Sequence, residues 1–388
     1  MSLVLQSAPQ RSPHERSLLT ILRDGGPTSR TGLSEITGLS PTTISKVVAG
    51  LVAEGLVTES VVGVKGVGRP AVTLTPVDSA VTVLGVQIGA GTVTVGIGDA
   101  GYAVRHTESF TFDVGAPADA VCDLAARALE KLVAAHDGAP VIGIGVGLPG
   151  PVDRDRRRLK ISVRLGWRDV PIADELERRL GLPVVADHNV RTMALAEARH
   201  GHKDVGDVAY LYVRTGVGLG IAVRGQAFYG GSGGESYLGH TRVVEDGELC
   251  SCGSRGCLDT VVSEPAVREA LGRLGDTGAA PGREEVLARL HDLARSGSRD
   301  AVAYEDTYVN VLAGALSGVV NLFTPDLVLL GGILATAPPQ IVTSLRERTR
   351  DRIFPLLRDD LRVEQADPGD AALVRAATAT ALETLHFA

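Results

Sequence analysis

Residues 29–57 read SRTGLSEITGLSPTTISKVVAGLVAEGLV, and the spacing of their apolar and capping residues predicts a helix-turn-helix. A short helix fits Arg30 to Thr37, a turn fits Gly38-Leu39, and a longer helix begins after Ser40. Ser40 suits the N-cap, where its hydroxyl accepts from an otherwise unpaired N–H, and Pro41 suits the first helical position, where no N–H is needed. Ile44, Val47, Val48 and Leu51 recur at i, i+3, i+4 and i+7, which predicts one buried stripe and turns Thr42, Thr43, Ser45 and Lys46 outward. Small hydroxyl residues and a lysine at a helix N-terminus suit the hydrogen-bonding edges of a DNA major groove.

On the N-terminal side, HERSLLTILRDGG (14–26) reads as a helix with Leu18, Leu19, Ile21 and Leu22 on its apolar face, ended by Gly25-Gly26. On the other side, LVTESVVGVKGVGRPAVTLTP (56–76) reads as two strands joined by a loop carrying Lys65 and Arg69, the wing of a winged helix-turn-helix. Residues 1–76 hold seven Lys/Arg against five Asp/Glu, a net +2 that leaves −9 for the remainder of a chain of net charge −7. A basic module on an acidic chain points to double-stranded DNA. Its candidate contacts are Arg30, Ser40, Thr42, Thr43, Ser45, Lys46, Lys65 and Arg69. The plainer alternative is a three-helix packing module that touches no nucleic acid.

The whole chain has 388 residues, 44% hydrophobic and 22% charged, enough for ordinary cores in two or three domains. No apolar run reaches the roughly 18 residues of a membrane span, and MSLVLQSAPQRSPHERS (1–17) lacks the features of a secretory signal. A cytoplasmic protein with no membrane partner is expected. Beyond residue 78, VLGVQIGAGTVTVGIGDAGYAV (83–104) and VAYLYVRTGVGLGIAVRGQAF (208–228) each read as strand, Gly-turn, strand, which suggests two related lobes. Such turns either bring backbone N–H groups close to a phosphate or simply close a hairpin. In LGWRDVPIADELERRLGLPVVADHNVRTMALAEARHG (165–201) a helix fits Pro171 to Leu180, a strand Pro183 to Ala186, and a helix starts near Val190. Strands and helices alternate, so the body is α/β, and the intervening loop, Asp187 to Asn189, is where such folds place ligand chemistry. Residues 274–300 fit a loop plus an amphipathic helix, and RAATATALETL (375–385) a terminal helix packing back on the first lobe.

CSCGSRGCLDT (250–260) holds three of the four cysteines. In a reducing compartment this density favours metal binding over disulfides. Cys122, alone in ADAVCDLAARAL, reads as a buried helix residue.

Taken together, the chain resembles the ROK family, named for repressors, open reading frames and kinases. The likeness rests on the winged helix with GRP at 68–70, GVGLPGPVD at 145–153, LGH at 238–240, the cysteine cluster, and NLFTPDLVLLGG at 321–332. It implies a winged helix-turn-helix (1–78) followed by a two-lobed actin-like, ribonuclease H-like sugar-kinase fold. The first lobe would span 79–198, completed by a C-terminal helix at about 370–388, and the second 199–369 with a dimerisation surface. The family's C-x-C-G-x-x-G-C motif and its upstream histidine imply a structural zinc on His240, Cys250, Cys252 and Cys257, a closed tetrahedral shell. The family also implies a sugar or sugar derivative between the lobes, near Pro149, the 187–189 loop, His240 and Asp259. Arg164, His188, Asn189 and Tyr237 complete that candidate set.

Family kinases take a proton from the sugar with an aspartate in an E-N-D-A-N type motif. Anchoring on ALAE at 194–197 sets Asn189 at that position, and a carboxamide cannot accept a proton. Gln87 stands where the family has an aspartate near the metal and phosphates, and Tyr237 where it has a sugar-binding glutamate. The expectation is a regulator, a repressor as the family likeness implies, with no catalytic residue: a homodimer or homotetramer on a palindromic operator, governed by a sugar or sugar phosphate. A two-residue slip in register would restore Asp187 and Glu235 and leave an ATP-dependent sugar kinase. A zinc-stabilised DNA-binding protein with no ligand is the third alternative. Arg164 and His188, standing in for asparagines, favour an anionic effector unless Arg164 pairs with Asp169.

Overall fold

The computed structural model describes residues 11–62, 71–136, 138–231, 236–276 and 278–387. Lys65 and Arg69 of the wing, and Glu235, lie outside them.

The N-terminal module is built as its local signals require. Helix α1 (Pro13–Gly25) starts from a capping box between Ser12 and Glu15, α2 (Arg30–Thr37) is capped by Ser29, and α3 (Pro41–Ala53) by Ser40. Gly38, at φ +70°, ends α2 in the left-handed conformation that glycine adopts without strain. Leu18, Leu19, Leu22, Leu33, Ile44, Val48 and Leu51 form the core. Ile21 and Val47, placed on the apolar faces by their spacing, are only half-buried and pack at its edge. Strands β1 (Val57–Val62) and β2 (Ala71–Pro76) pair antiparallel, and Thr28 bridges to Leu74, so the wing's strands clasp the start of α2.

The body contains two five-stranded sheets of one topology. In the first, β3 (Thr82–Ile88), β4 (Thr92–Asp99) and β5 (Val104–Thr111) form an antiparallel meander. Helix α4 (Ala118–Ala134) then leads to β6 (Val141–Leu148), parallel to β3. A side hairpin, β7 (Leu159–Ser162) with β8 (Trp167–Val170), precedes α5 (Ile172–Leu180). Strand β9 (Val184–His188) completes the order β5-β4-β3-β6-β9, and α6 (Asn189–Ala196) follows at once. The sequence suggests a loop at 187–189, but the strand persists: Asp187 pairs with Gly147 and His188 with Leu148, and Asn189 is already helical.

The second sheet repeats this plan with β10 (Asp207–Val213), β11 (Val217–Val223) and β12 (Gln226–Ala227). Four helices follow: α7 (Asp259–Val262), α8 (Glu264–Arg273), α9 (Val286–Arg295) and the long α10 (Arg299–Phe323). Strand β13 (Leu327–Gly332), helix α11 (Pro339–Arg352) and strand β14 (Val363–Gln365) give the order β12-β11-β10-β13-β14. The last helix is α12 (Asp370–Ala381). This is the actin-like, ribonuclease H-like pattern of paired lobes, behind a winged helix.

Two helices lie between the sheets and touch each other. Helix α12 packs on β3, β4 and β6, and α6 on β10 and β11. Glycine makes both approaches close: a Cβ at Gly145 would stand 1.8 Å from the Ala377 carbonyl oxygen, and one at Gly220 would stand 1.9 Å from that of Val190.

The module is fastened to the far ends of these helices. Both finish in a wide π-type turn, at Glu197–Gly201 after α6 and Leu382–His386 after α12. Glu383 in the second turn accepts from Arg23 of α1 at 2.5 Å, from Arg199 of the first turn at 3.0 Å, and from the Tyr102 hydroxyl. Arg199 also reaches Asp24 at 3.2 Å, and Arg23 lies 4.2 Å over the Phe387 ring. Among the described residues no helix is long and apolar enough to cross a membrane.

Candidate functional site

Eight separate pieces of chain meet in a cleft of about 310 Å³ between the lobes. The end of β9 brings His188 and the start of α6 brings Asn189; the β7–β8 connection brings Arg164; the start of α7 brings Asp259; and the segment 237–240 brings Tyr237 and His240. All six candidate effector residues therefore line one cleft, together with Pro149, Gly150 and Ser162.

Asp259 is fixed within it by a hydrogen bond from the Val217 N–H at 2.7 Å, and its Oδ2 lies 4.0 Å from His240 Nδ1. Arg164 is exposed and donates to the Thr215 carbonyl oxygen. It does not pair with Asp169, whose carboxylate is held by Arg158 and Lys160, each at 3.1 Å. Arg164 thus keeps donors facing the cleft.

Asp187, one residue before His188, points elsewhere. Its carboxylate is 1% exposed and accepts from Arg191 Nε at 2.7 Å, the Tyr229 hydroxyl at 2.7 Å and the His188 N–H at 2.7 Å, with Arg156 at 3.1 Å. Burial alone would raise its pKa, but Arg156 and Arg191 hold it below the ordinary carboxylate value. A carboxylate so saturated is a poor proton acceptor. Arg191 also stacks on Tyr229 at 4.3 Å, locking the chain after β12 to the start of α6. Sequence reasoning missed Tyr229 and Arg156, since nothing local marks partners 42 and 31 positions from Asp187. Gln87 is buried on β3 and, among the described residues, its Oε1 has no hydrogen-bond partner.

The histidine of the cleft belongs also to the metal site. The ligand atoms of His240, Cys250, Cys252 and Cys257 all lie within 4.8 Å of one another. Cys250 Sγ is 3.6 Å from His240 Nδ1, and the sulfurs of Cys252 and Cys257 are 3.7 Å apart. A tetrahedron with Zn–S near 2.3 Å and Zn–N near 2.0 Å has edges of about 3.5–3.8 Å, so the four groups fit zinc with little movement. Bound there, zinc would be held by four protein ligands and would act structurally. The Arg242–Cys257 and Leu249–Arg255 bridges fold the loop that carries the cysteines and leads on to Asp259.

On the module, Thr42, Ser45 and Lys46 project from the exposed side of α3. Ser40 and Thr43 are engaged in the cap, with Oγ to Oγ1 at 2.9 Å and the Thr43 N–H on Ser40 Oγ at 3.1 Å. Arg30 is tied to Glu59 at 2.8 Å and to the Ser45 carbonyl at 3.2 Å, joining α2 to β1 and α3.

Two histidines, the half-buried His188 and the buried His386, set a pH limit on the fold. Burial and Arg191 push His188 down to about 4, only partly offset by Asp187, and burial with Arg11 and Arg23 pushes His386 down to about 3. In the unfolded chain both would protonate near pH 6.5. The unfolded state therefore binds more protons below that value, and stability, complete above it, is lost as pH falls through the window to about 4. The expected slope is about 1.4 kcal/mol per pH unit for each histidine. Urea midpoints between pH 7 and pH 5 should fall, and His188→Gln should flatten the decline; a flat wild-type profile would contradict the assignment.

Comparison with known proteins agrees with this construction. The sequence pattern of the ROK family matches residues 83–384. A xylose repressor of Caldicellulosiruptor bescii is 27% identical over 367 residues, 92% of this chain and 92% of its own length. A glucokinase of Thermotoga maritima is 30% identical over 288 residues, 70% of this chain and 88% of its own length. The crystal structure of a ROK family transcriptional regulator, a homolog of the E. coli MLC protein, superposes with a TM-score of 0.78 at 25% identity, over 95% of this chain and 96% of that one. The repressor and regulator matches extend over the N-terminal module, and the Cys3His cluster is consistent with the structural zinc site of such proteins. The chain belongs to the ROK family.

Proposed function

We propose that the chain is a DNA-binding transcriptional repressor of sugar-metabolism genes, working in the cytoplasm as a homodimer or homotetramer on a palindromic operator. A sugar or sugar derivative in the cleft controls it and is not phosphorylated there. The observation that carries this reading is the pairing of Asn189 in the cleft with an Asp187 withdrawn into an arginine cage. Loss of a general base costs on the order of 10²- to 10⁴-fold in rate. The cleft then serves as a sensor.

The route from sensor to module is short. Helix α6 begins at Asn189 in the cleft, and the turn that follows it presents Arg199 to Glu383 and Asp24. Closure of the lobes around a sugar moves this rod against α12 and resets α1, so two states differ in the spacing of paired recognition helices. Operator affinity changes only by the sugar's differential binding to those states.

In this docking, α3 enters the major groove with Lys46 toward DNA. Lys46→Ala is expected to weaken operator binding by about 1–2 kcal/mol and to reduce the salt slope of log affinity by about one. A gel-shift titration at several salt concentrations checks both, and unchanged affinity and slope would remove Lys46 from the interface. The likeness to glucokinases favours one other reading, a kinase that also binds DNA. An ATP-turnover assay over a sugar panel separates the two.

A further inference from the structure

The cleft does not end at Arg164. Val163, Arg164, Ser251 and Asp259 also line a second hollow of about 390 Å³ on the outer side of the metal loop. One wall is Glu248 and Leu249, the floor is Thr260 with Pro265 and Ala266 at the start of α8, and Glu269 stands one helical turn further on. A pyranose takes roughly the room of six waters, about 180 Å³. Either hollow is spacious enough for one ring, and the two adjoin across Arg164 and Asp259.

Resting on the reading of the cleft as a sugar site, we infer that the effector is a glycoside of at least two sugar units, the second of them uncharged and seated in this outer hollow. The side chains suit it. Glu248, Glu269 and the Thr260 hydroxyl offer acceptors to sugar hydroxyls. Val163 (50% exposed) and Leu249 (64% exposed) put apolar surface on the walls, where the C–H faces of a ring lie well. The two glutamates share Arg273, at 3.3 and 3.2 Å, which holds them without filling the hollow. A second phosphate or carboxylate there would meet Glu248 and Glu269, so the outer unit is uncharged.

The test is calorimetry on the full zinc-loaded chain with glucose and xylose against cellobiose, maltose and xylobiose. At least one disaccharide should bind tenfold or more tightly than its own monosaccharide. Ala266→Trp fills the outer hollow and should cut that gain to less than threefold while leaving the monosaccharide unchanged. Glu269→Ala, on an exposed helix position, should weaken the disaccharide alone by threefold or more. Disaccharides binding no more tightly than monosaccharides would overturn the inference and leave the sugar-sensing reading standing, as would equal losses for both sugars in both variants. No binding by any of the five would overturn both.

Discussion

Stripping zinc from the purified chain, or replacing Cys257 by Ser, is expected to abolish sugar binding at accessible concentrations while leaving sugar-free operator binding largely intact. Cys257 is fully buried and lies two residues before Asp259, and His240 is at once a ligand and a wall of the cleft. Structural zinc in small domains contributes on the order of 10 kcal/mol of apparent binding energy, of which a loop inside a larger fold retains several. A loss of that size corresponds to a fall of order 10 °C in the unfolding midpoint of a lobe this large. The core of the N-terminal module, by contrast, is drawn from Leu18 to Leu74 and contains none of these residues. Metal analysis should find one zinc per chain. Calorimetry and differential scanning before and after chelation check the rest, and an unchanged midpoint with unchanged sugar affinity would refute the structural role.

Glu383→Ala is expected to have the second largest effect, and through the other end of the molecule. Its carboxylate is the common acceptor for Arg23, Arg199 and Tyr102, which come from α1, the turn after α6, and the β4–β5 turn. The arginine side chains are 12% and 10% exposed, so removal of the carboxylate leaves two nearly buried cations with the half-exposed Asp24 as their shared carboxylate. Breaking a buried pair this way costs about 3–5 kcal/mol, measured as a shift in urea midpoint. Because the same group joins α6 to α1, sugar should still bind while operator affinity ceases to follow it. Glu383→Gln keeps a hydrogen-bond acceptor and should recover part of both. A variant that is destabilised yet still releases DNA in response to sugar would show that the junction is a fastening and not a relay.

What the sequence reveals and what it withholds divide along the length scale of the interactions. The helix-turn-helix is legible because caps, a left-handed glycine and an apolar stripe are local signals, and Ser29, Ser40 and Gly38 each act where their chemistry places them. The cysteine cluster is legible because three ligands fall within eight residues. The cleft residues follow from the family likeness, and they do converge. The fate of Asp187 is not legible: whether it faces the cleft depends on β9 continuing to His188 and on Arg156 and Tyr229 arriving from other elements. Nor is the junction, where Glu383 meets partners 281 and 360 residues away. Arg30 is a further case: its guanidinium is tied to Glu59, a partner 29 positions along the chain that no local signal gives.

The central claim is that the cleft senses a sugar without transforming it. Fluorescence anisotropy of an operator fragment, titrated with the chain in the presence of sugar, ATP and magnesium, tests it when sugar phosphate is assayed in the same samples. The expected result is an operator affinity that changes severalfold with sugar, is indifferent to ATP, and is accompanied by no phosphorylated sugar. Catalytic accumulation of sugar phosphate, with operator affinity untouched by the sugar itself, would contradict it.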